Sequence, residues 1–134
     1  MNNKPRLILI VDDDEDDRSL FFDAVKEVDD ATFCISAKDG QEALDLLRNK
    51  ESVLPDFIFL DLNMPRVNGK QCLIELKKIE RLSDIPVVIY STTKRAEDVE
   101  EMKRLGASQF LTKPAQFAEI CNVISDVLSA YAQK

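Results

Sequence analysis

Histidine and tryptophan are absent from this 134-residue chain, and aromatic residues make up only 7% of it. Without an imidazole there is no histidine base, phosphocarrier or metal ligand. Acid–base, nucleophilic or metal chemistry must then come from Asp, Glu, Ser, Thr, Lys or Cys. Cysteine is sparse as well: Cys34, Cys72 and Cys121 are isolated and odd in number. That pattern points to reduced thiols in a cytoplasmic setting and argues against a disulfide framework. No apolar run is long enough to span a bilayer, and the start, Met1 to Arg6, lacks a signal-peptide pattern, so no membrane association is expected. Positive charge is outnumbered, 18 Lys and Arg against 25 Asp and Glu, for a net charge of −7. An acidic chain is poorly suited to neutralising phosphates along nucleic acid, so no direct DNA binding is expected. Low-complexity and linker segments are also missing, and the length suits one domain with a real core, expected over residues 1–134.

What the chain does contain is a regular alternation of short apolar runs and longer helical patterns. Arg6 to Val11 reads as a buried strand, followed by Phe21, Ala24, Val25 and Val28 at helical spacing behind an acidic start. Thr32 to Ala37 is a second strand, and Asp39-Gly40 turns into a helix carrying Ala43, Leu44 and Leu47. Pro55 opens a third strand, Phe57 to Leu60, and Gly69 precedes a helix with Cys72, Leu73, Leu76 and Ile79. Pro86 opens the fourth strand, Val87 to Tyr90; the helix after it turns Val99, Met102 and Leu105 inward and stops at Gly106. Ser108 to Thr112 is a short fifth strand. The last helix is expected to face inward through Phe117, Ile120, Cys121, Ile124, Leu128 and Tyr131. Five β-α repeats imply an α/β domain: a mostly parallel sheet with helices on both faces and right-handed crossovers.

The stretch from Asp56 to Pro65 is the most informative. It is apolar on both parities from Phe57 to Leu60, as a strand buried on both faces must be, and it ends in one carboxylate, Asp61. Other strands also end in polar residues that packing does not require: Asp12-Asp13 after the first, Ser91-Thr92 at the fourth, Lys113-Pro114 after the fifth. In a parallel sheet all these carboxyl ends share one edge, where open α/β folds bind ligands. With strand order 2-1-3-4-5, Asp12, Asp13 and Asp61 come together. Clustered carboxylates repel one another unless a cation sits among them, and an oxygen-only site with open positions suits Mg²⁺, with Mn²⁺ as a substitute. A carboxylate beside such a cation can attack phosphorus and become an aspartyl phosphate, with Lys113 and Ser91 available to meet its oxygens.

Simpler readings exist for each group. Asp14 to Asp17 fit a helix N-cap followed by a first turn favoured by the helix dipole, although this leaves Asp12 and Asp13 unexplained. A calcium loop fails, because its turn position is Asp17 in place of Gly and its twelfth position is Asp23 in place of Glu. Asp61 could merely cap a turn, Ser91-Thr92 could cap the next helix, Lys113 could be solvated and Phe110 could be plain core.

Taken in order, Val11-Asp12-Asp13, Leu60-Asp61 through Pro65 with Gly69, Ser91-Thr92 and Lys113-Pro114, with Asp39-Gly40 and Ala43-Leu44 beside them, resemble a response-regulator receiver domain over nearly the whole chain. The resemblance implies a flavodoxin-like, doubly wound (βα)5 three-layer sandwich with parallel strand order 2-1-3-4-5, of the stand-alone type without an output domain. It implies Asp61 as phosphoacceptor. Asp13 would ligate Mg²⁺, Asp12 would hold a coordinating water, and Asn63 would add its backbone carbonyl. Lys113 would pair with the phosphoryl group, and Lys113-Pro114 would form a cis peptide. Ser91 would be the switch hydroxyl, Phe110 the switch aromatic, and Thr92 would border the phosphoryl group, where its bulk could slow transfer or hydrolysis.

The implied partners are a sensor histidine kinase or a histidine-phosphotransfer protein, and a downstream protein target. Arg18 and Phe22, on the expected solvent face of the first helix with Lys26 and Asp29, are candidate docking residues. The basic pairs Lys94-Arg95 and Lys103-Arg104 fall in the family's usual output region, although they also suit a solvated face. Val123 and Val127 form a minor second stripe on the last helix, compatible with a monomer or a phosphorylation-dependent dimer. Two other readings remain. A phosphohydrolase with an aspartyl nucleophile, of the haloacid dehalogenase type, needs a second acid two residues after it, and that position is Asn63. A pseudo-receiver that binds without being phosphorylated usually lacks one of the main site residues, and here none is missing.

Overall fold

A computed structural model of the chain describes residues 6–64, 68–93 and 95–131. The elements alternate as expected: β1 (Leu7–Val11), α1 (Glu15–Val28), β2 (Phe33–Ala37), α2 (Gly40–Arg48), β3 (Phe57–Leu60), α3 (Gly69–Lys78), β4 (Val87–Ser91), α4 (Ala96–Arg104), β5 (Gln109–Thr112) and α5 (Phe117–Ala130), with a 3-10 turn at Glu80–Leu82. All the strands pair in parallel, in the order β2-β1-β3-β4-β5. Pro65 and Lys94, which the sequence reading placed in a turn and in a basic pair, lie outside the described residues.

Strand parity divides the core into two layers. Leu9, Val11, Ile58, Leu60, Val87 and Ile89 pack against α2, α3 and Met102 of α4. Their neighbours Ile8, Ile10, Phe57, Phe59, Val88 and Tyr90 pack against α1 and α5. Both parities of β3 and β4 are buried, which is why those strands read as unbroken apolar runs. On the second face Phe21, Phe59 and Tyr90 form an aromatic cluster with ring centroids 4.8 to 5.7 Å apart, tilted or edge-on as ring quadrupoles prefer.

Local chemistry fixes the helix ends. Asp14, Asp39 and Asn68 are N-caps whose side chains accept from the backbone N–H three residues on, and Asn68 with Gln71 closes a full capping box. Gly106 ends α4 with φ +108°, a conformation that disfavours other residues, and Ala107 N–H returns to Met102 O at 3.0 Å. Two helix assignments need correction. Phe117 is 40% exposed because the inward face of α5 begins a turn later, at Ile120. Val127 is 1% exposed and shares the inward arc of Ile120, Ile124 and Leu128, so it belongs to the core and leaves no second stripe.

Candidate functional site

The site is built by extending the β ladder one residue past the strands. Asp12 N–H donates to Ala37 O at 3.1 Å, Asp61 N–H to Val11 O at 3.0 Å and Lys113 N–H to Ser91 O at 2.9 Å. Each polar residue is therefore held on rigid backbone at the carboxyl edge. Parallel pairing of Val11 with Leu60 makes Asp12 and Asp61 neighbours across β1 and β3. Asp12, Asp13 and Asp61 each offer a carboxylate oxygen within 4.8 Å of the others. Asp12 and Asp61 are buried and Asp13 is exposed, so the cluster opens to solvent on the Asp13 side.

Lys113 closes the other side. Its Nζ lies 2.6 Å from Asp12 Oδ2, 2.9 Å from Asp17 Oδ2 and 3.4 Å from Asp61 Oδ2. The ammonium also sits 5.9 Å from the centre of the Tyr90 ring, within range of a cation–π contact. Asp12 Oδ1 accepts from Asp14 N–H at 3.0 Å. Asp12 Oδ2 touches Lys113 as a close ion pair but lacks hydrogen-bond geometry, and among the described residues no other group hydrogen-bonds to it. Three carboxylates, two of them buried, with oxygens this close together are a hard-oxygen donor set that fits a divalent cation.

The electrostatics follow from three carboxylates sharing one ammonium. Burial raises the Asp61 carboxyl above its usual value, against the pull of Lys113 and of the Asn63 and Leu62 backbone N–H groups. Burial likewise raises Asp12, opposed by Lys113 and Asp14 N–H and reinforced by the Asp61 charge. Burial alone would lower Lys113, yet its close contacts with the Asp12 and Asp17 carboxylates and the Asp61 charge carry it well above the ordinary lysine value. Burial accounts for the two raised carboxyls, and the surrounding carboxylates account for the raised lysine.

The start of α3 packs closely on the backbone that follows β3. A Cβ added to Gly69 would stand 2.3 Å from Asp61 O and 2.6 Å from Leu62 Cα, and Gly69 N–H already donates to Leu62 O at 3.0 Å. Only glycine lets α3 begin that close to the Asp61 backbone. Asn63, two residues past Asp61, is exposed on this turn.

Other expected residues are partly in place. Ser91 is fully buried at the end of β4, its Oγ accepting weakly from Thr93 N–H at 3.4 Å. Thr92 is exposed and lines a cleft of about 270 Å³ with Asp17, Leu20, Tyr90, Lys113 and Ile120. Phe110 is half-buried, paired with Ile89 and packed on the α2–α4 side of the core. Phe22 is 38% exposed, whereas Arg18 turns back and donates from Nη1 to Asp12 O at 2.8 Å, so it braces the β1–α1 loop as well as bordering the surface. The Lys113–Pro114 peptide is trans, contrary to the cis bond implied by the resemblance. Trans is the intrinsically favoured isomer of an X–Pro bond by about 0.5–1 kcal/mol, and no cis peptide occurs among the described residues.

Two contributors escape sequence reading. Asp17 looked like an ordinary first-turn acid, and nothing in the chain signals its contact with Lys113, 96 residues away. Tyr90 reads as core and is core, but its ring also underlies the lysine.

Comparison with known proteins converges on one family. The response regulator receiver domain model matches residues 8–125. The polar-differentiation response regulator DivK of Brucella anthropi is 30% identical, over 92% of this chain and 97% of its own. Response regulator Rcp1 of Synechocystis is 29% identical over 98% of this chain and 92% of its own, and its Mn²⁺-bound structure superposes with a TM-score of 0.85, covering 97% and 96% of the two chains at 28% identity. The phosphorylated cyanobacterial phytochrome response regulator RcpA superposes with a TM-score of 0.87 at 27% identity, covering 95% and 94%. The fold, the strand-end carboxylates and these matches agree, and the chain belongs to the response-regulator receiver family.

Proposed function

We propose that this receiver accepts a phosphoryl group on Asp61 and signals by the resulting change of surface. The observation carrying this reading is the juxtaposition of a buried Asp61 with Asp12, Asp13 and the Lys113 ammonium at one sheet edge. An Asp61 carboxylate oxygen attacks phosphorus, the P–N bond to a donor phosphohistidine breaks, and the histidine nitrogen leaves with the electron pair. Asp13 and Asp61, with Asp12 and the Asn63 carbonyl, would hold a Mg²⁺ ion, which would supply counter-charge to the phosphoryl oxygens. Lys113 is placed to pair with one oxygen. Among the described residues, Ser91 Oγ has a single 3.4 Å contact to give up in turning toward another.

Phe110 then moves with Ser91 and alters the face formed by α4, β5 and α5, which a protein target reads. The domain catalyses only its own phosphorylation and dephosphorylation and acts in the cytoplasm. Receiver domains meet histidine kinases or histidine-phosphotransfer proteins. In this chain Phe22, exposed on α1, and the apolar cleft beside Lys113 are the surfaces offered to such a donor.

The test is two-dimensional NMR of the protein with Mg²⁺ and beryllofluoride, a phosphoryl mimic. Amide shifts are expected at Asp61 and Ser91 and across α4, β5 and α5, and they should vanish in Asp61→Ala. Shifts confined to the metal ligands, with the α4–β5–α5 face unmoved, would contradict the switch. Turnover of a phosphate ester would favour a hydrolase instead.

A further inference from the structure

We infer that Asp17 is a positioning residue for Lys113: it shares the ammonium with Asp61 in the unmodified protein and competes for it with the phosphoryl group. The inference rests on the phosphoacceptor reading of Asp61. Lys113 Nζ hydrogen-bonds to Asp17 Oδ2 at 2.9 Å and, over a longer 3.4 Å, to Asp61 Oδ2, so the two carboxylates share the ammonium and Asp17 holds the shorter bond. The bond to Asp17 is well formed as a hydrogen bond, whereas the closer contact to Asp12 is an ion pair without hydrogen-bond geometry. Asp17 is therefore the nearer of the two carboxylates, Asp17 and Asp61, to which the ammonium hydrogen-bonds.

Its location favours a competitive role. Asp17 sits in the first turn of α1, where its backbone N–H is already committed to the Asp14 cap, so the helix end fixes its place. Its side chain is 38% exposed against 10% for Lys113. Release of Lys113 thus leaves a carboxylate that water can solvate, while losing Lys113 would strand Asp12, whose side chain is 1% exposed. When phosphoryl oxygens arrive on Asp61, Asp17 is the partner that can be given up at least cost. The same exchange loosens a tie between α1 and the β5–α5 loop along the cleft lined by Leu20 and Ile120. Loading of the acceptor is thereby coupled to the surface beside it.

The experiment is calorimetric titration of beryllofluoride at saturating Mg²⁺ into wild type, Asp17→Asn, Asp17→Glu and, as a control for net charge, Asp16→Asn. Each Asp17 variant is also made in a Lys113→Met background. Asp17→Asn should tighten beryllofluoride binding by about three- to ten-fold, the net scale of one partly solvated hydrogen bond released from competition. Asp17→Glu should restore wild-type affinity, Asp16→Asn should leave it unchanged, and Asp17→Asn should have no effect once Lys113 is gone. Should Lys113→Met abolish binding, the ¹⁵N resonance of the Lys113 ammonium in the free protein decides: it must move in Asp17→Asn and return in Asp17→Glu. Unchanged or weaker binding in Asp17→Asn, equal tightening without Lys113, or an unmoved ammonium resonance would overturn the inference while leaving Asp61 as acceptor. Failure of the wild type to bind beryllofluoride would remove both.

Discussion

Gly69→Ala tests whether the β3–α3 turn positions Asp61. The added methyl would stand 2.3 Å from Asp61 O and 2.6 Å from Leu62 Cα, both backbone atoms that no rotamer change can remove. Reaching an ordinary carbon–oxygen contact of roughly 3.3 Å requires the turn to part by about 1 Å. Overpacking of this kind costs about 1–3 kcal/mol, and the upper end applies because backbone must move. The helical preference of Ala over Gly returns at most about 1 kcal/mol, less at the first position of α3. A net loss of about 2 kcal/mol corresponds, for a domain of this size, to a melting temperature lower by roughly 6 °C. The functional loss is expected to exceed the stability loss, because a displacement of about 1 Å at a reacting group costs on the order of 10²-fold in rate. Differential scanning calorimetry and the rate of phosphoryl uptake from acetyl phosphate measure the two effects on one sample. A variant melting within about 1 °C of wild type and labelling at the wild-type rate would refute the claim that the turn is packed against Asp61.

Three further expectations follow from the same geometry. Burial raises the Asp12 and Asp61 carboxyls above 3.8, so the metal-free native state binds more protons than the unfolded chain, and stability falls as pH rises through the raised native values. Mg²⁺ should offset that fall, adding about 2.7 kcal/mol, or roughly 9 °C, at a hundredfold excess over its Kd, and thermal melts across pH with Mg²⁺ or chelator will show whether its benefit grows as pH rises. Thr92→Ala should shorten the phosphoryl lifetime several-fold by uncovering the cleft beside Lys113, and an unchanged lifetime would contradict shielding by Thr92. Phe22→Ala should slow transfer from a phosphohistidine donor while sparing uptake from acetyl phosphate, since it removes an exposed anchor of about 1–2 kcal/mol without touching the site; equal kinetics with both donors would discard the docking role.

The sequence made the fold legible because its signals were local and mutually consistent. The doubly apolar Phe57–Leu60 run, the cap at Asp14, the turn at Asp39-Gly40 and the stop at Gly106 each carry their own physical reason, and the strand ends named Asp12, Asp61, Ser91 and Lys113 in advance. What stayed hidden depends on three-dimensional approach. Nothing in the first turn of α1 distinguishes Asp17, which meets Lys113, from Asp16, which does not. The periodicity of α5 left its inward arc uncertain by one position, enough to misplace Val127 and Phe117. Arg18 looked like a surface charge because its bond to the Asp12 carbonyl is set by the loop conformation.

The central claim is that, of the carboxylates gathered at this edge, Asp61 is the phosphoacceptor. Incubation with acetyl phosphate and Mg²⁺, followed by peptide mapping of the phosphoryl adduct by mass spectrometry, tests it directly. The prediction is a single labile adduct on Asp61, lost in Asp61→Asn and when the metal is chelated. An adduct on Asp12, Asp13 or Asp17, or undiminished labelling of Asp61→Asn, would contradict it.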